Sequence, residues 1–299
     1  MLLIAACLVG TLSQAQPAPA RITKDVSYGE HPRQLLDIYL PATEGVFPVV
    51  MFIHGGGWSF GDKTSRVNKD ILQRVLDSGC AFVSVEYRFL ADGKTAGLFP
   101  PVLAPLQDVK SALQFLRLRS KELNIDPERI VAYGNSAGGF SSLWLALSPD
   151  MANPKSDNPQ ERMSTRLRAV AGVNAQTSID PAQMREWTGP KMKYGCRAFG
   201  ITSFDVFLKR RDEFAKFYPT LSPAALLSPD DPPVYLHYEF ELNDESDNNG
   251  YHTHSPRFGI GFNALAKKLG AACILSFPNH EGGEPKEDYV DFLIRHAKN

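Results

Sequence analysis

The sequence predicts an α/β fold: a mostly parallel central sheet with helices on both faces. Three observations carry this. Short apolar runs recur along the chain, and stretches with helical spacing or loops separate them. "VVMFI" (Val49 to Ile53) is continuous, not alternating, as expected of a strand buried on both faces. With 299 residues, 43% hydrophobic and 22% charged, the chain is large enough to bury such a sheet.

Taken in order, the chain opens on "MLLIAACLVGTLSQAQPAPA". Its apolar run from Leu2 to Leu12 is too short to span a bilayer and ends in small and polar residues. Residues 1–16 are therefore expected to be a signal peptide, with Ser13-Gln14-Ala15 as the small-x-small site, although a positive n-region is missing. That sets an expectation of secreted or periplasmic location. The plainer alternative is a buried first strand or helix. Removing the leader would leave Cys80, Cys196 and Cys273, an odd number that cannot form a fully paired disulfide framework.

"RITKDVSY" and "QLLDIYLP", separated by "GEHPR", read as an antiparallel pair. "VVMFI", "AFVSVEY", "RIVAYG", "RAVAGVN", "VYLHY" and "ACILSF" read as the buried strands that follow. Between or after them lie "VNKDILQRVLDSG", "PLQDVKSALQFLRLRSKEL", "SAGGFSSLWLALS", "FNALAKKLG" and "DYVDFLIRHAKN". The second of these places Leu106, Val109, Leu113 and Leu116 near one helical face. Gln176 to Asp231 contains no convincing strand but many aromatics, and reads as a helical cap insertion over one end of the sheet. An ordinary pair of surface helices fits its periodicity equally well.

A formal net charge of −1 and a pI near 6.7 provide no broad field for nucleic acid or an anionic membrane surface. A small or neutral molecule is the expected partner. "RIVAYGNSAGGFSSLWLAL" then carries the chemistry, because Gly134-Asn135-Ser136-Ala137-Gly138 fits G-x-S-x-G between a strand and a helix. A tight turn there projects the Ser136 hydroxyl from the sheet edge as a nucleophile; the plainer alternative is a helix-start serine after a glycine-rich turn. "FIHGGGWSFGDK" follows a buried strand to the same edge, so the N–H groups of Gly56, Gly57 and Ala137 are expected to form an oxyanion hole. The P-loop pattern that would make this glycine run a phosphate cradle is absent.

These motifs resemble the α/β-hydrolase fold, and within it the hormone-sensitive-lipase-like carboxylesterases and related secreted acetylxylan and feruloyl esterases. "HGGGW" (54–58), "VSVEYRF" (83–89), "FPPVLAPLQDVKSALQFLR" (99–117), "IDPERIVAYGNSAGG" (125–139) and "DPPVYLHY" (231–238) carry the resemblance, which covers about Arg21 to Asn299. It implies one hydrolase domain over 17–299 with the cap at about 176–231. It also implies a serine esterase that forms an acyl-enzyme, acts on a small-molecule or carbohydrate-linked ester, and uses no metal or organic cofactor. A prolyl-type peptidase, or a noncatalytic binding module on the same scaffold, are the rival readings.

The resemblance also places the base. His280, in "CILSFPNHEGG" after the last strand, occupies the family's position for the catalytic histidine, while His54 belongs to the oxyanion motif and reads as a strut. The acid should follow "PPVYLHY", commonly in G-x-x-D, but here Glu239-Phe240-Glu241-Leu242 departs from that pattern. Of the acids in the long loop that follows, Asp247 is ranked first because Asn248-Asn249-Gly250 can turn the chain back over the sheet edge. Asp244 comes next, then the glutamates, including Glu239 and Glu241. His252 and His254 could hold a metal or contact substrate; H-x-H alone is common, so no metal site is expected.

Overall fold

A computed structural model describes residues 21–242, 249–283 and 285–299. Residues 1–16, Asp244 and Asp247 lie outside the described residues. Eight strands form one sheet: β1 (Arg21–Ser27), β2 (Leu35–Leu40), β3 (Phe47–Ile53), β4 (Ala81–Val85), β5 (Ile125–Asn135), β6 (Val170–Val173), β7 (Val234–His237) and β8 (Cys273–Ser276). Their order across the sheet is β1-β2-β4-β3-β5-β6-β7-β8. β2 is antiparallel to both β1 and β4, and all later pairings are parallel. This is the doubly covered, mostly parallel sheet of an α/β-hydrolase fold.

All seven residues of β3 are buried, because the sheet is covered on both faces. Its pleat sends Val49, Met51 and Ile53 into one apolar cluster, with Val83, Ile130 and Leu143. Val50 and Phe52 enter the other, with Phe82, Val131, Val75 and Phe292. The continuous apolar run in the sequence is thus two alternating faces superposed.

The helices are α1 (Lys69–Asp77), α2 (Leu90–Thr95), α3 (Leu103–Leu118), α4 (Ser120–Leu123), α5 (Ala137–Leu147), α6 (Pro181–Thr188), α7 (Phe204–Lys209), α8 (Tyr218–Leu221), α9 (Pro223–Leu226), α10 (Asn249–Thr253), α11 (Arg257–Leu269) and α12 (Tyr289–Lys298). Side chains fix several starts. Asn68 accepts from the N–H groups of Asp70 and Ile71, and Asp288 from those of Val290 and Asp291, satisfying helix donors that have no partner within the helix. Asp288 also accepts from Arg74 at 2.8 Å, tying α12 to α1 on one face of the sheet.

Between β6 and β7 the chain forms α6 to α9 and two 3₁₀ turns, Cys196–Phe199 and Arg211–Phe214, with no strand. Aromatic packing holds this stretch together: the Phe199 ring lies 4.9 Å from Phe207 and 5.1 Å from Phe214. Among the described residues no helix is long and apolar enough to cross a membrane.

Candidate active site

Ser136 stands where β5 hands over to α5, with φ 55° and ψ −120°. A non-glycine residue held in such a sparsely populated region costs about 1–3 kcal/mol, so its surroundings must enforce it. They do so through hydrogen bonds on both sides. The Ser136 N–H donates to Val173 O at 2.8 Å, and its carbonyl accepts from Phe140 N at 2.9 Å. The motif glycines allow the approach: a Cβ at Gly134 would lie 2.4 Å from the Gly138 carbonyl carbon, and one at Gly138 only 2.0 Å from Ile53 O. Ala137, buried, opens α5, where its N–H has no acceptor within the helix.

The glycine loop lies beside this turn, and a Cβ on Gly55 would come within 3.5 Å of Ser136 Cβ. Gly56 (φ 119°), Gly57 (φ 59°) and Trp58 (φ 54°) follow in the left-handed region, which the two glycines adopt without a steric penalty. Gly56, Gly57 and Ser136 border one cavity, as the oxyanion reading requires. His54 is the strut the sequence suggested: buried, stacked on Tyr87 at 4.2 Å, its Nδ1 donating to Gly55 O at 2.8 Å. Tyr87 Oη donates to His54 O at 2.6 Å, and Trp58 Nε1 to Ser141 Oγ on α5 at 3.0 Å.

The far end of the loop is held by charge. Lys63 is buried with its Nζ 2.8 Å from Asp37 and 2.7 Å from Asp25. Burial works against its charge, but hydrogen bonds to these two carboxylates hold its pKa above the ordinary lysine value. Glu86 accepts from the Lys63 N–H at 3.1 Å and from Arg33 at 2.5 Å. These contacts tie the glycine loop and the segment after it to the sheet and to α5.

The histidine beside Ser136 is where the structure departs from the sequence expectation. His254 Nε2 lies 2.8 Å from Ser136 Oγ. His280 does not reach the serine; it borders a separate, smaller cavity with Glu241, Leu242 and Ile260, its ring 4.5 Å from Phe277. The loop after β8 closes on itself there, with Asn279 at φ 58° and Gly283 N donating to His280 O at 2.8 Å. The segment joining α10 to α11 takes its place at the sheet edge. Gln176 Nε2 donates to Thr253 O at 2.6 Å and Thr177 Oγ1 to Phe258 O at 2.8 Å, while Phe258 and Phe262 are buried beneath.

Asp247 and Asp244 fall on residues the structure does not describe, and Glu241 borders the smaller cavity. Among the described carboxylates, Glu239 borders the cavity that holds Ser136 and His254. Asn174 orients it, donating Nδ2 to its carboxylate at 3.0 Å and accepting its backbone N–H at 3.0 Å. His252 borders the same cavity, and no cluster of three or more potential metal ligands exists among the described residues.

Burial lowers the His254 pKa from its ordinary value, while the Gly250 carbonyl and the Glu239 charge pull it back up. The neutral imidazole that can accept the serine proton thus persists below pH 6.5. The rise of kcat/KM with pH is expected to have its midpoint below 6.5. Glu239→Gln removes a charge that favours the imidazolium, so that midpoint should move further down; a pH–rate profile that does not shift would remove Glu239 from any role at His254.

The cavity encloses about 790 Å³, within the range of small-molecule sites. Tyr194, from the helical stretch, stacks on Trp58 with centroids 6.2 Å apart and borders it too. The sequence reading passed over both Tyr194 and the basic role open to His254. For the latter, the available signal was its position one residue before Ser255-Pro256 at the start of an apolar helix, in the connection that leaves β7 at the sheet's C-terminal edge.

Comparison with known proteins agrees with this architecture. A probable isoprenylcysteine alpha-carbonyl methylesterase of Oryza sativa subsp. japonica is 30% identical over 156 residues, covering 52% of this chain and 35% of that protein. A probable carboxylic ester hydrolase of Mycobacterium tuberculosis, LipM, is 28% identical over 217 residues, covering 71% and 46%. The chain thus spans about a third to a half of the length of these curated relatives. Among solved structures, a truncated carbohydrate esterase from gut microbiota superposes with a TM-score of 0.71 at 19% identity, covering 95% of this chain and 99% of that one. An acetyl ester-xyloside bifunctional hydrolase from Caldicellulosiruptor lactoaceticus gives 0.61 at 20% identity, covering 94% and 95%. At these identities the superpositions speak to fold alone. The family model described as BD-FAE matches residues 36–240, more than half of the sequence and the part that carries Ser136, the glycine loop and Glu239; the chain belongs to that family.

Proposed function

We propose that the protein hydrolyses carboxylic esters through an acyl intermediate on Ser136. The observation that carries this is the 2.8 Å contact between His254 Nε2 and Ser136 Oγ, beside a preformed glycine loop. Ser136 Oγ attacks the acyl carbon while His254 takes its proton. The N–H groups of Gly56, Gly57 and Ala137 receive the negative oxygen of the tetrahedral intermediate. Its collapse breaks the ester C–O bond, and the imidazolium protonates the departing alcohol. Water, deprotonated by the same histidine, then attacks the acyl-serine and releases the acid. Glu239 favours the transient imidazolium by charge; it stands in the acid's role on the described part of the chain.

Relatives named as methylesterase and carboxylic ester hydrolase favour ester over amide substrates. The reading extends to an acetyl or feruloyl group on plant polysaccharide as the ester cleaved; neighbours in fold are named carbohydrate esterase and acetyl ester-xyloside hydrolase. Export directed by residues 1–16 would bring the enzyme to such a polymer.

The test is turnover of p-nitrophenyl acetate and its longer-chain homologues, with and without chelator. The expected result is a stoichiometric burst of p-nitrophenol followed by slower turnover, undiminished by chelation. If no acyl length from acetate to octanoate is cleaved above the buffer rate, the reading fails.

A further inference from the structure

One short stretch at the end of β6 touches each of the segments that meet at the candidate site. Val173, the last residue of β6, accepts the Ser136 N–H at 2.8 Å. Asn174 turns the chain with φ 49°, a left-handed conformation that asparagine adopts more readily than most residues, and its side chain holds Glu239 through two hydrogen bonds. Ala175 O accepts from Tyr238 Oη at 2.7 Å, one residue before that glutamate. Gln176 and Thr177 then donate to Thr253 O and Phe258 O, on either side of His254 in the chain. All five residues are buried.

β6 lies between β5 and β7, so this stretch leaves a strand that is paired on both sides. The segment with His254 is not a strand, and the His254 N–H is spent locally, on Gly250 O and Tyr251 O. Such bonds shape the turn without setting its distance from Ser136. A side chain anchored at the end of β6 can set it, and Gln176 bonds the residue immediately before His254. Gln176 Oε1, in contrast, is buried and accepts no hydrogen bond among the described residues. A buried oxygen left unpaired costs stability, and costs of this kind concentrate at functional sites. The amide is therefore better explained by what its N–H holds in place than by a contribution to stability.

We propose that Gln176 is a positioning residue for His254, supported by Thr177: their bonds to Thr253 O and Phe258 O hold the imidazole at its 2.8 Å contact with Ser136 Oγ, from the same turn that holds the serine. The inference rests on the ester-hydrolase reading with His254 as the base. Without these bonds the turn carrying His254 is free to shift relative to a serine that stays fixed between β5 and α5. The glycine loop and the cavity walls are untouched, so substrate binding is spared and proton transfer suffers.

Gln176→Met keeps the length of the side chain and removes its donor. With p-nitrophenyl acetate its kcat should fall about 10- to 100-fold, with KM within about twofold of wild type. Thr177→Val should lower kcat about 3- to 10-fold, and Thr177→Ser, which keeps the hydroxyl, should stay near wild type. The same Gln176→Met change is then made in a His254→Ala background, with acylation followed in single turnovers at high enzyme concentration. There it should alter the rate by less than about twofold, because no base remains to be positioned. A general structural defect would slow both backgrounds by the same factor. Equal losses in the two backgrounds, or wild-type kcat in both Gln176→Met and Thr177→Val, would overturn the positioning role. A wild type that cleaves no ester, or a His254→Ala enzyme as fast as wild type, would instead overturn the underlying reading.

Discussion

His254→Ala is expected to lower kcat for p-nitrophenyl acetate by about 10⁴-fold or more, whereas His280→Ala should stay within about threefold of wild type. The asymmetry follows from position. His254 Nε2 is in hydrogen-bond contact with Ser136 Oγ, and His280 faces another cavity behind Phe277. A serine hydroxyl without its base is a weak nucleophile, and what remains is the contribution of the oxyanion donors and of substrate binding. Ser136→Ala should cost as much as His254→Ala, and the double variant scarcely more than either, because the two act as one unit. Steady-state kinetics with thermal unfolding curves check this; both alanine variants must unfold near the wild-type temperature for the comparison to count. A His280→Ala enzyme as dead as Ser136→Ala, beside an active His254→Ala, would assign the base to the loop after β8.

The contrast between these histidines marks what the sequence could reveal. All eight strands were legible: the six from β3 to β8 as short apolar runs that reflect the environment of the strand itself, and the largely exposed β1 with β2 as two runs flanking a turn. The tight turn at Ser136 was legible because its strand, turn and helix are adjacent in sequence and its glycines are required by close backbone approach, to Gly138 at Gly134 and to Ile53 at Gly138. The base was not. Whether residue 254 or residue 280 meets Ser136 depends on how two separate loops settle over one sheet edge, and hydrogen bonds from Gln176 and Thr177 to the α10–α11 segment decide it. The Ser255-Pro256 helix start after His254 is a local cue to a helix, but it does not by itself pair that residue with Ser136. The departure from G-x-x-D was a sign that this edge is built differently, and Glu239 held by Asn174 is part of that difference. Tyr194 was passed over because an unpartnered hydroxyl is a property of packing, and a tyrosine in an aromatic-rich stretch reads as core.

Gly138→Ala is expected to be severely damaging, destabilising the protein by about 4 kcal/mol or more and leaving much of it insoluble. The added methyl would lie 2.0 Å from Ile53 O and 2.6 Å from His54 O. Both are backbone atoms at the end of β3, inside the sheet, so neither can rotate aside as a flexible side chain could. Helix α5 would have to withdraw by more than an ångström. That movement carries Ser136 and Ala137 with it and opens the gap to the glycine loop, and a misplacement of that size can cost about 10²-fold in rate. Any soluble fraction should therefore be slow as well as fragile. Gly79→Ala is the control: Gly79 has φ +81°, yet nothing lies within 4 Å of a Cβ there. Backbone strain alone should cost that variant about 1–2 kcal/mol and leave kcat unchanged. Urea midpoints and kcat for the two proteins separate the effects, since strain without collision lowers stability only, whereas collision at Gly138 must lower both. A Gly138→Ala protein with wild-type stability and rate would mean that α5 does not pack against β3 as closely as the nucleophile turn demands.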